Sequence, residues 1–349
     1  MTLEELSIIH KKIDEILVSY VNFRGVIEDI PLRIENLYIQ CKDFISGSPI
    51  AVIDYGVYSE GGKDIDVCYP ISKQRDAKKI KIKNLEEVEV LSKIHKGSFD
   101  TINESFQQLF GYLRIHGITG TSWLRLVYHK YDKINQDNNE IEIQAVLHKW
   151  DDRLKRNLDR VLGEKVSDEV LDGRENLFTC ESSMDNRAQW IKNVIARIDN
   201  VANNNEKYEI LSKCAHDFSQ KRIDNLKAIY ERTKDIDEVI KEMHKDYAWY
   251  ENPIRKGNII YVSKIPYNQE GYKNAESTEE KRRNYCHCPL VRNYFNIGIS
   301  PTFCNCSTGW YRQQWEGILG KPIQIEVLKS LVKGDDYCEF AIYLPSDIK

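Results

Sequence analysis

The sequence predicts an α+β protein made of a duplicated strand–helix–strand–strand module followed by a second α+β domain. The duplication shows in residues 34–45 and 102–113, which carry apolar side chains at the same spacing of 4, 3 and 4 residues, as on one face of a helix. In the second half, helical periodicity comes first and strand-like runs follow. The length of 349 residues suits about two domains.

In each copy of the module, a strand-like segment ending in glycine precedes the helix, and two strand-like runs follow it. A repeat of this size predicts two modules that pair about a pseudo-twofold axis and bury their shared edges. The strand-like runs are 19–25, 49–56 and 64–71 in the first copy, and 88–97, 122–131 and 140–147 in the second.

The segments that flank the duplication have weaker patterns. Residues 1–17 are predicted as an N-terminal helix, because apolar residues recur there at helical spacing (Leu3, Leu6, Ile9, Ile13 and Leu17). The ligand-binding domain follows at residues 18–150. Residues 151–185 are charged and weakly periodic, which predicts a linker with some helix.

The second domain, residues 186–349, is predicted to be α+β with its helices first. Asp235 is expected to cap a helix, Gly320 to end one, and Gly334 to begin the turn between the last two strands. The predicted helices cover 190–198, 211–218, 236–243 and 308–319. The predicted strands cover 257–265, 285–291, 302–306, 323–331 and 337–344, with a mobile polar loop at 268–283.

Composition argues against several classes of partner. A net charge of −4 gives no general attraction to nucleic acid or to an anionic membrane. No run approaches the roughly 20 apolar residues of a membrane helix, and the first residues do not form a secretory signal. We therefore expect a cytoplasmic protein whose partner is a small molecule; a homodimer is left open.

Strand alternation predicts a binding groove. In the run 140–147, Ile141 and Ile143 share the face that meets the helices, so Glu142 falls on the opposite face, towards the groove between the modules. An aromatic cleft with a carboxylate suits cationic or amphipathic organic ligands, although strand glutamates commonly face solvent and strand tyrosines commonly pack in sheets. The candidate ligand-binding residues are Glu142, Tyr55, Asp66, Cys68, Trp123, Tyr128 and Gln144.

The stretch 93–120 resembles the core of the GyrI-like family, also called the AraC-type effector-binding domain. The resemblance extends over roughly residues 17–150, and Val146 departs from it where the family usually has proline. It implies ligand binding in the groove, with Glu142 contacting bound cations. In similar hydrolases a glutamate and a tyrosine act as general base and acid, and Glu142 and Tyr128 would be their counterparts. The residues that carry the resemblance are His95, Gly97, Phe99, Gly117, Gly120, Tyr128 and Glu142.

Five of the nine cysteines lie in the last 64 residues. Cys-x-Cys on two paired strands would bring four thiols together and could hold Zn²⁺ or an iron–sulfur cluster. The alternative is a set of buried or redox-active thiols, which is the commoner role of reduced cysteine. The tentative metal ligands are Cys286, Cys288, Cys304 and Cys306, with Cys338 nearby.

Residues 186–345 resemble uncharacterised bacterial proteins related to aminothiazoline-carboxylate hydrolases, and more distantly the 4-vinyl reductase-type domain. Gly334, Asp335, Cys338 and Phe340 carry the second likeness. Together these resemblances imply a second ligand-binding module.

Three functions therefore remain open: a sensor or ligand-sequestering protein, a hydrolase acting at Glu142 and Tyr128 or at the cysteines, and a metal- or redox-responsive protein.

Overall fold

The computed structural model describes residues 2–54, 62–72, 81–118, 120–175, 177–178, 182–246 and 250–348. The chain divides into two compact units, Met1–His148 and Lys149–Lys349. Each unit combines helices with an antiparallel sheet, so the predicted α+β class is confirmed.

The first unit is an eight-stranded antiparallel sheet with two helices. The order of its strands is β1-β6-β8-β7-β3-β4-β2-β5. The strands are β1 (Ile8–Ile13), β2 (Ile16–Gly25), β3 (Ile50–Asp54), β4 (Lys63–Pro70), β5 (Lys81–Leu85), β6 (Val88–Lys96), β7 (Gly120–Lys130) and β8 (Glu140–Leu147). The helices are α1 (Ile30–Cys41) and α2 (Ile102–Ile115).

The two modules meet where β3 pairs with β7, which confirms the predicted pairing through shared edges. Each module also has a strand that the sequence pattern did not predict, and the two modules exchange these strands. β1 precedes the first module but pairs with β6 of the second, while β5 precedes the second module and pairs with β2 of the first. The repeat is therefore five elements long, and each half completes the sheet of the other.

The predicted N-terminal helix at 1–17 is wrong. Residues 3–7 form turns, β1 follows at Ile8–Ile13, and Ile16 already belongs to β2. Tertiary pairing overrides the helical spacing here, because every residue of β1 has a partner on β6, from Ile8 opposite Lys93 to Ile13 opposite Val88.

The entry into α2 explains the histidine–glycine motif. The ring of His95 is buried and bridges the Ser105 hydroxyl, 3.1 Å from Nδ1, and the Ser98 carbonyl, 2.9 Å from Nε2. Gly97 has a φ of 111°, a region that favours glycine. These contacts fix the turn from β6 into the helix, whose predicted apolar face is buried at Ile102, Phe106, Leu109 and Leu113.

In α1 the buried face is rotated from the predicted one. Cys41 is buried as predicted, but Tyr38 is half exposed, and Leu37 is buried instead of it.

The second unit packs helices around a four-stranded antiparallel sheet of order β11-β12-β10-β9. Asp235 caps its helix by accepting a hydrogen bond from the amide of Asp237, and Gly320 ends another with a φ of 64°. The strands are β9 (Ile254–Lys256), β10 (Ile259–Ser263), β11 (Gln324–Lys329) and β12 (Glu339–Tyr343). The helices are α3 (Trp150–Leu162), α4 (Glu164–Val170), α5 (Met184–Val201), α6 (Asn204–Leu211), α7 (Gln220–Thr233), α8 (Ile236–Met243), α9 (Gln269–Asn274), α10 (Thr278–Tyr285) and α11 (Asn305–Leu319).

Two polar segments are more ordered than their composition predicted. The proposed linker at 151–185 contains α3 and α4, and Leu154 and Leu158 on α3 are completely buried in a core that includes α5. The proposed mobile loop at 268–283 contains α9 and most of α10. In α3 a buried face holds a helix whose remaining surface is charged. By contrast, α9 has no buried residue and α10 buries only Tyr285.

In the part of the chain that the structure describes, no helix is both long enough and apolar enough to span a membrane.

Candidate functional site

The face of the first sheet that is turned away from the helices carries the candidate site, and we call this face the groove. Glu142 lies opposite Val127 on β7 and Gln144 lies opposite Arg125, so these four side chains share it. Neighbouring strands continue the groove with apolar residues that pack as one buried cluster: Val18, Ile50, Val52, Cys68, Leu85 and Val127.

Glu142 is an almost completely enclosed acid of the groove, with only 5% of its side chain exposed. Oε1 lies 2.6 Å from Nζ of Lys11 on β1, and Oε2 lies 3.0 Å from Nε2 of His129. Gln144 adds a third side-chain hydrogen bond. The carboxylate is therefore held by groups from three strands, while Lys11 and His129 themselves remain more than a third exposed.

These contacts decide the charge of Glu142. Burial raises the pKa of its carboxyl, but the hydrogen bonds from Lys11, His129 and Gln144 outweigh burial, and the net pKa is lowered from its ordinary value. The residue is thus a permanent anion near neutral pH. It lacks the raised pKa with which a buried glutamate would be suited to exchange protons near neutral pH.

A second acid–lysine pair occupies the equivalent place in the other half of the sheet. Asp66 on β4 forms an ion pair with Lys83 on β5 and accepts a hydrogen bond of 2.6 Å from Asn22. Lys11 precedes Gly25 by the same 14 positions that separate Lys83 from Gly97.

The strand registers give the same equivalence for the acids. Asp66 lies opposite Asn22, three residues before Gly25, and Glu142 lies opposite Ile94, three residues before Gly97. In both halves, the exchanged edge strand therefore supplies a lysine to the acid of the groove.

Tyr128 does not face the groove, which corrects the predicted pair of Glu142 and Tyr128. It lies opposite Ile141, on the helix side of the sheet, and its ring stacks on Phe99 with centroids 6.4 Å apart. Burial raises the pKa of the Tyr128 hydroxyl far above its ordinary range. Because the two side chains are on opposite faces of one sheet, they cannot act together on one substrate.

Most of the other predicted ligand-binding residues lie on the groove face. Gln144 and Cys68 are buried on the groove face, and Trp123 shares that face with 40% of its surface exposed. Asp66 also lies there, in its ion pair. Tyr55 lies outside the described residues.

Sequence reasoning missed four charged or titratable residues of the groove: Lys11, Lys83, Arg125 and His129. Strand alternation could have found Arg125, which is two residues from Trp123 and two from Val127 on the same strand. The lysines gave no such clue, since their strands were not predicted.

We expect Glu142→Gln to destabilise the first unit by about 1–2 kcal/mol at pH 7, because Lys11 and His129 lose a charged acceptor while the buried group loses its charge. The folded-state pKa is lowered, so the stability that the carboxylate contributes is present above the unfolded value near 4.5 and is lost as pH falls through the folded value. Denaturant titrations at pH 7 and at pH 3 measure this gap between wild type and variant.

Glu140→Gln is the matched control. Glu140 is on the same strand, but its side chain and that of its partner Lys96 are 44% and 70% exposed, and we expect no measurable change. Equal stability of Glu142→Gln and wild type at pH 7 would contradict the role assigned to the carboxylate.

The cysteines of the second unit do not lie on paired strands, which corrects that prediction. Cys286 follows the end of α10, and Cys304 and Cys306 fall in a 3₁₀ turn and the first turn of α11. Among the described residues, no group of three or more histidine, cysteine or acidic side chains is arranged to hold a metal ion. The geometry on which the zinc or iron–sulfur hypothesis was built is therefore not present.

These cysteines still lie close together as reduced thiols. Burial, and after it the neighbouring thiols, raises the pKa of Cys288 and of Cys306 to about 12, and the pKa of Cys286, Cys304 and Cys338 is raised as well. Thiolates are the nucleophiles and metal ligands, so thiols that stay protonated at neutral pH behave as small apolar side chains.

The second unit also contains a buried charged cluster that the sequence pattern does not predict. Nζ of Lys264 lies 3.6 Å from Oε1 of Glu251 and 5.3 Å from the ring centre of Tyr311, whose hydroxyl donates to Glu251. Glu251 and Asn252 both have positive φ, at 50° and 55°, just before Pro253. The cluster compensates its own charges, which is typical of a structural ion pair.

The fold and the groove define a protein with a duplicated strand–helix–strand–strand sheet followed by a second α+β unit. The chain belongs to the family DUF6144, a family of unknown function, which matches residues 152–349. No curated protein sequence matches the chain.

Solved structures with a related fold include the EcmrR C-terminal domain, 19% identical over 41% of this chain and 97% of that chain, with a TM-score of 0.35. SAV2435 bound to tetraphenylphosphonium is 9% identical over 42% of this chain and 96% of that chain, with a TM-score of 0.31. A hydrolase encoded by lin2189 from Listeria innocua is 11% identical over 40% of this chain and 91% of that chain, with a TM-score of 0.30.

Proposed function

We propose that the groove of the first unit binds an amphipathic organic molecule, and that the protein acts as a sensor of this ligand or sequesters it. One observation carries the proposal. An ionised, almost fully buried carboxylate, Glu142, lies beside a continuous apolar cluster, and its cationic partner Lys11 comes from an edge strand. Apolar surroundings with a few well-placed polar groups are typical of small-molecule sites.

In this proposal, Lys11 acts as an internal counterion that a cationic group of the ligand replaces. Its side chain is 37% exposed, so it can turn into water at small cost once the carboxylate has another partner. The ligand gains the charge pairing that Lys11 gives up, and its apolar body is removed from water against the groove. Trp123 is partly exposed on the same face and would contact that body.

Calorimetric titration of the full chain with tetraphenylphosphonium, a large apolar cation, tests the proposal. We expect Glu142→Gln to weaken binding at least about tenfold, since a charge pair in a dry site contributes more than about 1.4 kcal/mol. Lys11→Ala should tighten binding by roughly threefold to tenfold, because the competing internal cation is gone. Glu140→Gln should leave the affinity unchanged.

The increase in affinity on removing Lys11 separates this proposal from simple surface attraction. A cation held only by the net charge of the surface would bind Lys11→Ala and Lys12→Ala equally tightly, since Lys12 also forms an ion pair, with Glu87. No binding by any variant, or binding that Glu142→Gln does not weaken, would overturn the proposal.

A further inference from the structure

Arg125 is a buried cation in the middle of the groove. It lies between Gln144 on β8 and Val52 on β3, and only 5% of its surface is exposed. Nη2 donates a hydrogen bond of 3.1 Å to the carbonyl of Glu86, in the short connection between β5 and β6. This contact fixes one arm of the guanidinium in the apolar cluster.

The other arm has no acceptor. Nη1 of Arg125 is closed off from solvent and makes no hydrogen bond, and within the described ranges no carboxylate forms an ion pair with this residue. Burial lowers the pKa of Arg125, against the opposing influence of Cys68 and Glu86. Leaving a charged donor unused in apolar surroundings is expensive, and buried groups of this kind nearly always have a partner.

The residues around Arg125 provide few other partners for its guanidinium. Its neighbours across the strands are the aliphatic Val52 and the amide Gln144. Asp54 is also buried on the groove face, two residues from Val52, and within the described residues it forms no ion pair with Arg125. The nearby acids Asp66 and Glu142 are already bound to Lys83 and Lys11. Each of these two acids is therefore neutralised by its own lysine, and neither of them neutralises the guanidinium of Arg125. The groove thus has an unused donor at its centre and compensated acids on either side.

We propose that Arg125 binds a carboxylate of the ligand, so that the groove takes an amphoteric organic molecule with an acid group at Arg125 and a cationic group at Glu142. The inference rests on the proposed function and specifies its ligand class. Arg125 lies opposite Gln144, two residues from Glu142 along β8, so the backbone positions that carry the two side chains are about 7 Å apart along the strand. The carboxylate enters as the side chains that cover Nη1 shift, and the planar guanidinium then binds it with paired hydrogen bonds.

Three probes with one aromatic body test this assignment. 4-(Aminomethyl)benzoate carries both charges on one rigid ring, its methyl ester keeps only the cation, and 4-methylbenzoate keeps only the anion. Calorimetric titration of the full chain should give the first compound an affinity at least about tenfold higher than that of the ester, in line with a charge-assisted contact. Arg125→Gln should reduce this preference to about twofold or less.

Two further variants separate the contribution of Arg125 to binding from that of Glu142. Glu142→Gln should weaken the amphoteric probe and the ester by similar factors and leave the preference between them intact. Arg125→Lys keeps the buried charge, and so protects folding if Arg125→Gln is unstable, but it loses the forked geometry and should give an intermediate preference.

Equal affinity of wild type for the acid and the ester would overturn the inference, and would mean that Nη1 is served by water alone. A preference that persists in Arg125→Gln would overturn it as well. Failure of the proposed function looks different, because then none of the three probes and no large apolar cation would bind in a way that depends on Glu142.

Discussion

Gly309→Ala is expected to prevent the second unit from folding to its native packing. Gly309 lies in α11 where this helix crosses the turn after α6, and an added Cβ would stand 1.7 Å from the carbonyl oxygen of Ser212 and 2.7 Å from Cβ of Ala215. The first contact is with backbone, which cannot rotate away, so the helix must move from its buried position. We expect a loss of more than about 4 kcal/mol, among the largest effects that single substitutions produce.

Gly111→Ala is the matched control for this substitution. Gly111 is also inside a helix, α2, but an added Cβ would meet nothing within 4 Å. Alanine should therefore stabilise the first unit by roughly 0.5–1 kcal/mol through its higher helix propensity. Denaturant titration monitored by circular dichroism should show that the denaturation midpoints of the two variants shift in opposite directions. A Gly309→Ala protein as stable as wild type would contradict the close contact between Gly309 and the carbonyl of Ser212.

The second unit should lose about 4 kcal/mol of stability between pH 7.5 and pH 5, because two partly buried histidines stay neutral in the folded state. Burial, and after it nearby Lys264 or Arg153, lowers the pKa of His287 to about 3 and that of His216 to about 4, from 6.5. A histidine with a depressed folded pKa contributes full stability above its unfolded pKa. That stability is lost as pH falls from about 6.5, since only the unfolded chain takes up the proton.

At pH 5 each histidine accounts for about 2 kcal/mol of the lost stability, and this figure depends mainly on the pKa of histidine in the unfolded chain. His287→Gln can still donate to the carbonyl of Ile265, to which Nε2 of the histidine lies at 2.7 Å, but it cannot titrate. We expect this variant to lose about half of the pH dependence, whatever its stability at pH 7.5. His10→Gln, at an exposed position of the first unit, should leave the pH dependence of the second unit unchanged; a slope that His287→Gln does not alter would refute the assignment.

Local periodicity was sufficient to predict a helix or strand where that element buries one complete face. The strand predicted at 140–147 and the helix predicted at 236–243 have the bounds that the structure shows. Strand alternation also placed Glu142 on the correct side, because its neighbours Ile141 and Ile143 are completely buried on the other side. The same rule also separates Trp123 from Tyr128, which lie five positions apart on one strand and face opposite ways, but the sequence prediction placed both in the groove.

The errors came from residues whose conformation is decided by distant partners. Nothing near Lys11 in sequence indicates a strand, since the pairing that makes one is with β6. The Cys-x-Cys pattern fits a strand by spacing alone, yet the chain at Cys304 begins a helix after the Ser300 side chain caps the preceding turn. Long-range pairing and capping both lie outside what local spacing encodes.

The exchange of β1 and β5 between the two halves affects how the first unit can be made. In a chain synthesised from its N-terminus, β1 at Ile8–Ile13 emerges well before its partner β6, which begins only at Val88. Until then β1 lacks its partner and remains an unpaired strand, with the aggregation risk that such strands carry. The sheet closes only after a loop of this length has been formed, so we expect its assembly to be late, slow and cooperative.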